Sequence, residues 1–211
     1  MALTKVTSDL VTSTGASNGD VLTADGSGGS SWAAAGGGDK VFIGEVSGTG
    51  LTAADFINGV SGIVLDGTYS TYEFDILYWY PSTSGAQLWA RTRTGGTFDA
   101  GGLDYEFAYD GTQYITAIHS GSLTSTRITM AFDVKNTSGE ALAGKAILRN
   151  ITDGSRFTSL THHVGWFDAS ADEPVNLTGT GYRRTGTTVD GLRFTTNTGT
   201  FSTKIRLYGI T

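Results

Sequence analysis

The sequence has no cysteine, which removes disulfides, zinc–thiolate sites and thiol nucleophiles together. Basic residues are few, 14 Lys and Arg against 20 Asp and Glu for a net charge of −6. That balance argues against nucleic acid as a partner, because affinity for it depends on cations neutralising phosphates. No window approaches the roughly 20 apolar residues of a membrane span, and residues 1–20 show no apolar run behind a basic leader. The expectation is a soluble chain made in a cytosol, without membrane insertion. The Asn-X-Ser/Thr triplets at Asn136, Asn150 and Asn176 then read as chance in a Thr-rich chain.

Good helix formers are also scarce, whereas Thr, Val, Ile, Tyr and Phe recur among 31 glycines. Branched and aromatic side chains fit a pleated, half-buried surface, so the chain is expected to be all-β. The joint AAAGGGDK, residues 33–40, packs nothing and separates two regions. Residues 1–38 are an extended Gly/Ser/Ala-rich arm, and residues 39–211 are a head of alternating apolar and polar residues between turn signals. Strands are expected near 72–80, 87–93, 103–109, 114–119, 127–135, 145–151, 157–164, 191–196 and 204–210, with one short helix over 52–57. Asp-Gly pairs at Asp66, Asp110, Asp153 and Asp190 mark turns at irregular intervals, which excludes a propeller or solenoid. Eight to ten such strands make an antiparallel two-sheet sandwich, jelly-roll-like in character.

The clearest local pattern is YEFDILYWYPSTSGAQLWARTRT, residues 72–94. Alternation puts Tyr72, Phe74, Ile76, Tyr78 and Tyr80 on one face and Glu73, Asp75, Leu77 and Trp79 on the other. Folded as a hairpin about PSTSG with Tyr80 opposite Ala86, the run places Asp75 against Arg91, Glu73 against Arg93 and Leu77 against Trp89. In that register Asp75→Arg should be partly rescued by Arg91→Asp. The mixed face of aromatics and paired charges has three readings: a second core layer, a subunit interface, or a platform for a sugar.

Few residues suggest catalysis or metal binding, and no enzyme activity, cofactor or metal is expected. His162 and His163 are adjacent, so on a strand they point to opposite faces and cannot chelate one ion as a pair; His119 stands alone. Asp168, Asp172 and Glu173 in WFDASADEPVN could supply oxygen ligands, but the stretch lacks the Gly and Glu spacing of a calcium loop and reads better as a solvated acidic loop. Phosphate-cradling loops, nucleophile elbows and metalloprotease motifs do not occur. Trp166 and the Tyr182, Arg183, Arg184 stretch within GTGYRRTGTT are the candidates for contact with an external ligand.

The arm carries spaced anchors, Val6, Leu10, Val21, Leu22 and Trp32, but too little apolar surface to offset its chain entropy. It should be ordered by something else. MALTKVTSDLV followed by NGDVLTADGSGGSSWAAAGGG resembles the N-terminal part of tailed-bacteriophage fibre and receptor-binding proteins, where G-x-V-L-T-x-D-G-x-G-x-x-x-W is common. DGLRFTTNTGTFSTKIRLYGI, Asp190 to Ile210, resembles the closing strands of phage β-sandwich tips. The resemblance covers about a quarter of the chain, at its two ends. It implies a homotrimeric virion protein, attached to other virion proteins by its arm and presenting its head to a glycan or protein of the host surface. No shaft or heptad repeat separates arm from head, so a compact tip or a capsid-decorating or head-fibre protein fits the same length. A carbohydrate-binding module or glycan-active enzyme is the rival of a different class.

Overall fold

The structure, a computed structural model, describes residues 40–137 and 139–211 in full, together with the backbone of 20–24 and 30–34. The chain divides into two units, Met1–Asp39 and Lys40–Thr211. In the first, β1 (Asp20–Ala24) pairs antiparallel with β2 (Ser30–Ala34), placing Leu22 opposite Trp32 and Val21 opposite Ala33. Val6 and Leu10 lie outside the described residues.

The second unit is an all-β antiparallel sandwich. Its large sheet has eight strands in the order β3 (Lys40–Leu51), β15 (Phe201–Ile210), β5 (Thr71–Pro81), β11 (Leu142–Arg149), β12 (Ser159–Phe167), β13 (Pro174–Arg183), β8 (Tyr105–Gln113) and β9 (Thr116–Ser125). The small sheet runs β10 (Ile128–Val134), β6 (Ala86–Thr94), β14 (Gly191–Thr196) and β4 (Ala53–Ile57), with the short β7 (Thr97–Phe98) also paired to β6. From β3 onward the chain changes sheet at every connection except β6–β7, β8–β9, β11–β12 and β12–β13, so eight of the twelve connections span the core.

Aromatic side chains of the two inner faces meet, mostly edge to face. Phe74 of β5 lies 5.1 Å from Phe56 of β4 and 5.4 Å from Phe194 of β14. Phe132 of β10 reaches across to Tyr109 of β8 at 5.7 Å and Trp166 of β12 at 5.5 Å. Such pairs prefer tilted or offset geometry because of the ring quadrupole, and here they fix the spacing of the layers.

Three expectations are corrected. Residues 53–57 form the strand β4, not a helix: Ala54 and Phe56 alternate inward between partly exposed neighbours, and the segment pairs with β14. Next, β5 and β6 do not form a hairpin, since β5 pairs with β15 and β11 while β6 pairs with β10 and β14. PSTSG is an arch from one sheet to the other, held by Ser82 N–H donating to Thr200 O at 2.8 Å and Gly85 N–H to Val134 O at 3.0 Å, with Gly85 at φ +83°. Either connection buries the same apolar rows, side by side in a hairpin and face to face across an arch. Finally, β5 carries a bulge at Leu77: Ile76 pairs with Ile205 and Tyr78 with Lys204, leaving Leu77 without a counterpart on β15. The extra residue inverts the alternation. Tyr72, Phe74 and Ile76 point inward, and beyond the bulge Trp79 is fully buried while Leu77 is exposed.

Glu73 and Asp75 therefore stay outward but meet lysines, not Arg91 and Arg93. Lys40 Nζ lies 2.6 Å from Glu73 and 3.0 Å from Asp75, and Lys145 Nζ lies 3.0 Å and 3.6 Å from the same two carboxylates. Burial pushes the Glu73 carboxyl up, but hydrogen bonds from the two ammonium groups outweigh it and hold the group at about 2. The row continues through Arg206, opposite Asp75 on β15, to Glu45 on β3. Asp75→Lys should cost about 1 kcal/mol, and Lys145→Glu added to it should recover part of that loss in urea unfolding. Arg91→Asp, on the other sheet, should recover none; equal rescue by both would contradict the arch.

Candidate functional site

The residues singled out for ligand contact part company in the structure. Trp166 is a core residue of β12, 4% exposed, and Arg183 is 7% exposed. The first half of GTGYRRTGTT, residues 179–183, is the end of β13, whose alternation drives Arg183 inward and Tyr182 outward, and Arg184 follows the strand. Arg183 forms a two-point ion pair with Asp99, Nε to Oδ2 at 2.7 Å and Nη2 to Oδ1 at 2.8 Å. Thr92 and Thr94 hydroxyls donate to Asp99 at 2.7 Å and 3.0 Å, and Arg183 Nη1 donates to Thr187 Oγ1 at 2.7 Å. Burial pushes the Asp99 carboxyl up, and the guanidinium and the two hydroxyls more than reverse it. This is a clamp between β13 and the segment after β7. Removing one member of a buried pair strands the other's charge, so Asp99→Ala should cost about 3–5 kcal/mol in chemical denaturation.

His162 and His163 do face opposite ways: His162 is 3% exposed and His163 lies on the outer face, its Nδ1 2.8 Å from Thr178 Oγ1. His162 lies over Gly179, where a Cβ would sit 2.4 Å from its Cε1, and neither ring nitrogen has a hydrogen-bond partner. Burial, with His163 adding a little, pushes the imidazole down to about 4 from 6.5. The native state thus holds it neutral while the unfolded chain protonates it. Its contribution is complete above pH 6.5 and is lost as pH falls toward 4, about 3 kcal/mol across the window. Stability should decline between pH 6.5 and 4.5, above the range where Glu73 titrates in the unfolded chain. His162→Leu should flatten that decline, as denaturant midpoints at stepped pH will read.

The acidic stretch after β12 is occupied by its own backbone. Asp168, 2% exposed, accepts from Ser170 N–H at 2.9 Å, Ala171 N–H at 2.8 Å and the Ser170 hydroxyl at 2.7 Å. Asp172 pairs with Lys135, which also meets Glu140 at 3.2 Å. Among the described residues no group of three His, Asp or Glu side chains is placed to hold a metal ion, and no helix is long and apolar enough to cross a membrane.

Two surfaces remain as candidates. The first is a corner of the large sheet's outer face, where Glu106, Ala108, Ser122, Leu123, Thr180 and Tyr182 line an open depression of about 260 Å³. Leu123 is 79% exposed and Tyr182 41%. Arg184 borders it, its Nη1 donating to Leu123 O at 2.8 Å and its backbone N–H to Asp104 O at 2.8 Å. An apolar wall, a phenol and a carboxylate on strands, with a guanidinium just after β13, resemble the composition of binding anchors. The signal in the sequence was the alternation through TGTGYR, hidden by its glycines.

The second is the outer face of the small sheet, which holds Trp89, Arg91 and Arg93 together, as alternation predicts. Arg93 pairs with Asp190 at 2.8 Å, and Arg193 of β14, opposite Arg91, pairs with Asp55 at 2.6 Å. Trp89 Nε1 donates to Gln87 Oε1 at 2.8 Å, and the Arg127 guanidinium lies 3.8 Å over the Trp89 ring. Arg127 lies in the bend between β9 and β10, outside the alternation that groups Trp89, Arg91 and Arg93. The chain matches no protein-family model, no curated protein and no solved structure.

Proposed function

We propose that the chain is a non-enzymatic structural protein of a tailed-bacteriophage particle, seated through residues 1–38 and presenting its sandwich, as a homotrimer, for adhesion to the host surface. The resemblance of the two end segments motivates the class. The observation that carries the adhesive role is the corner formed by Leu123, Tyr182 and Arg184, where an exposed apolar side chain and an exposed phenol line an open depression beside a guanidinium. Leu123 and Tyr182 are held by β9 and β13, and Arg184, just after β13, is tied to Leu123 O, so little ordering cost accompanies binding.

The full chain, fluorescently labelled, should be retained on bacterial cells that the parent particle infects. Tyr182→Ala combined with Arg184→Ala should weaken retention at least about tenfold with melting temperature unchanged. Retention that ignores both substitutions, or no retention on susceptible cells, rejects the adhesive corner. Antibody labelling confined to lattice points of the capsid would instead identify a decoration protein and overturn the tail assignment.

A further inference from the structure

The arginines of the small sheet's outer face divide into two kinds. Arg93 and Arg193 have carboxylate partners, whereas Arg91 and Arg127 have none within ion-pair distance among the described residues. Both turn toward Thr126: Arg91 Nε donates to its carbonyl at 3.1 Å, and Arg127 Nη1 to its hydroxyl at 3.3 Å. Trp89 supports Arg127 from below at 3.8 Å. Arg127 Nε is enclosed and has no acceptor. Burial lowers the Arg127 guanidinium from its ordinary value and the charge of Arg91 lowers it further, the signature of two half-buried like charges with nothing between them. That is an unusual feature on a chain of net charge −6.

We propose that Arg91 and Arg127 form a binding site for an oxyanion, a phosphate, sulfate or carboxylate group. A planar guanidinium offers a fork of donors matched to such oxygens. Stacking on Trp89 and anchorage to Thr126 fix the two forks before the ligand arrives, so the ordering cost is small. An anion beside the two guanidiniums offsets the repulsion between them, which gives the site its selectivity for charge over a neutral molecule of the same size. Arg93 and Arg193 flank the site without competing for it, each already neutralised by its partner. The site lies on the opposite sheet from Tyr182 and stands independently of the adhesive corner.

Tryptophan fluorescence of the full chain carrying Trp32→Phe reads this, because of the remaining three tryptophans Trp79 and Trp166 are buried and Trp89 is not. The full chain is titrated at constant ionic strength with inorganic phosphate, glucose 6-phosphate and glucose. Saturable quenching by both phosphates and none by glucose is expected. Quenching by glucose equal to that by glucose 6-phosphate would overturn the oxyanion assignment. Arg91→Gln and Arg127→Gln should each weaken binding more than about tenfold, while Arg91→Lys retains part of it. Phosphate should also raise the melting temperature of the parent chain but not of the Arg91→Gln/Arg127→Gln variant, which itself should melt no lower than the parent. Absence of saturable binding, or binding indifferent to both substitutions in folded variants, refutes the site.

Discussion

The contact on which the sandwich depends is the meeting of Phe74 with Phe56 and Phe194 across the gap between the sheets. A sheet with one apolar face is stable only when that face is covered, and the cover here is narrower than what it covers. At about 4.8 Å between strands, seven intervals in the large sheet span about 34 Å and three in the small sheet about 14 Å. The excess must overhang. β9, last in the large sheet, is accordingly exposed on both faces for most of its length, and Leu123 belongs to it. The exposure of β9 on both faces is thus a result of unequal layers.

Charge is distributed with equal regularity. Across the large sheet's outer face, Glu45, Arg206, Asp75 and Lys145 follow one another on adjacent strands, alternating in sign, and His163 continues the row on β12. Alternation of this kind satisfies each group locally and leaves little field beyond the surface. The small sheet's outer face breaks the rule, with four guanidiniums and, among the described residues, carboxylate partners for only two of them.

How much was legible in the sequence follows from what alternation can and cannot encode. Composition predicts the all-β class, and the rows Tyr72, Phe74, Ile76 and Leu88, Ala90 predict the buried faces that the structure contains. Opposite exposure of His162 and His163 also follows from neighbouring positions on a strand. Alternation states which residues share a face, not which strand lies alongside; for that reason an arch at PSTSG looked like a hairpin, and charge complementarity between β5 and β6 pointed to partners in different sheets. The Leu77 bulge is invisible because Trp79 is plausible on either face. Asp110–Gly111 lies inside β8 rather than at a turn, which falls at Tyr114, itself at φ +51°.

The glycine content carries a consequence of its own. On β13, a Cβ at Gly179 would sit 2.4 Å from the His162 ring, and one at Gly181 would sit 2.5 Å from Ile128 of the facing sheet. These residues make no bend; they are hollows into which larger neighbours descend. A chain that looks loosely composed is at these points intolerant of a single added methyl group, so sequence drift should concentrate on its outward positions while the hollows of β13 stay empty.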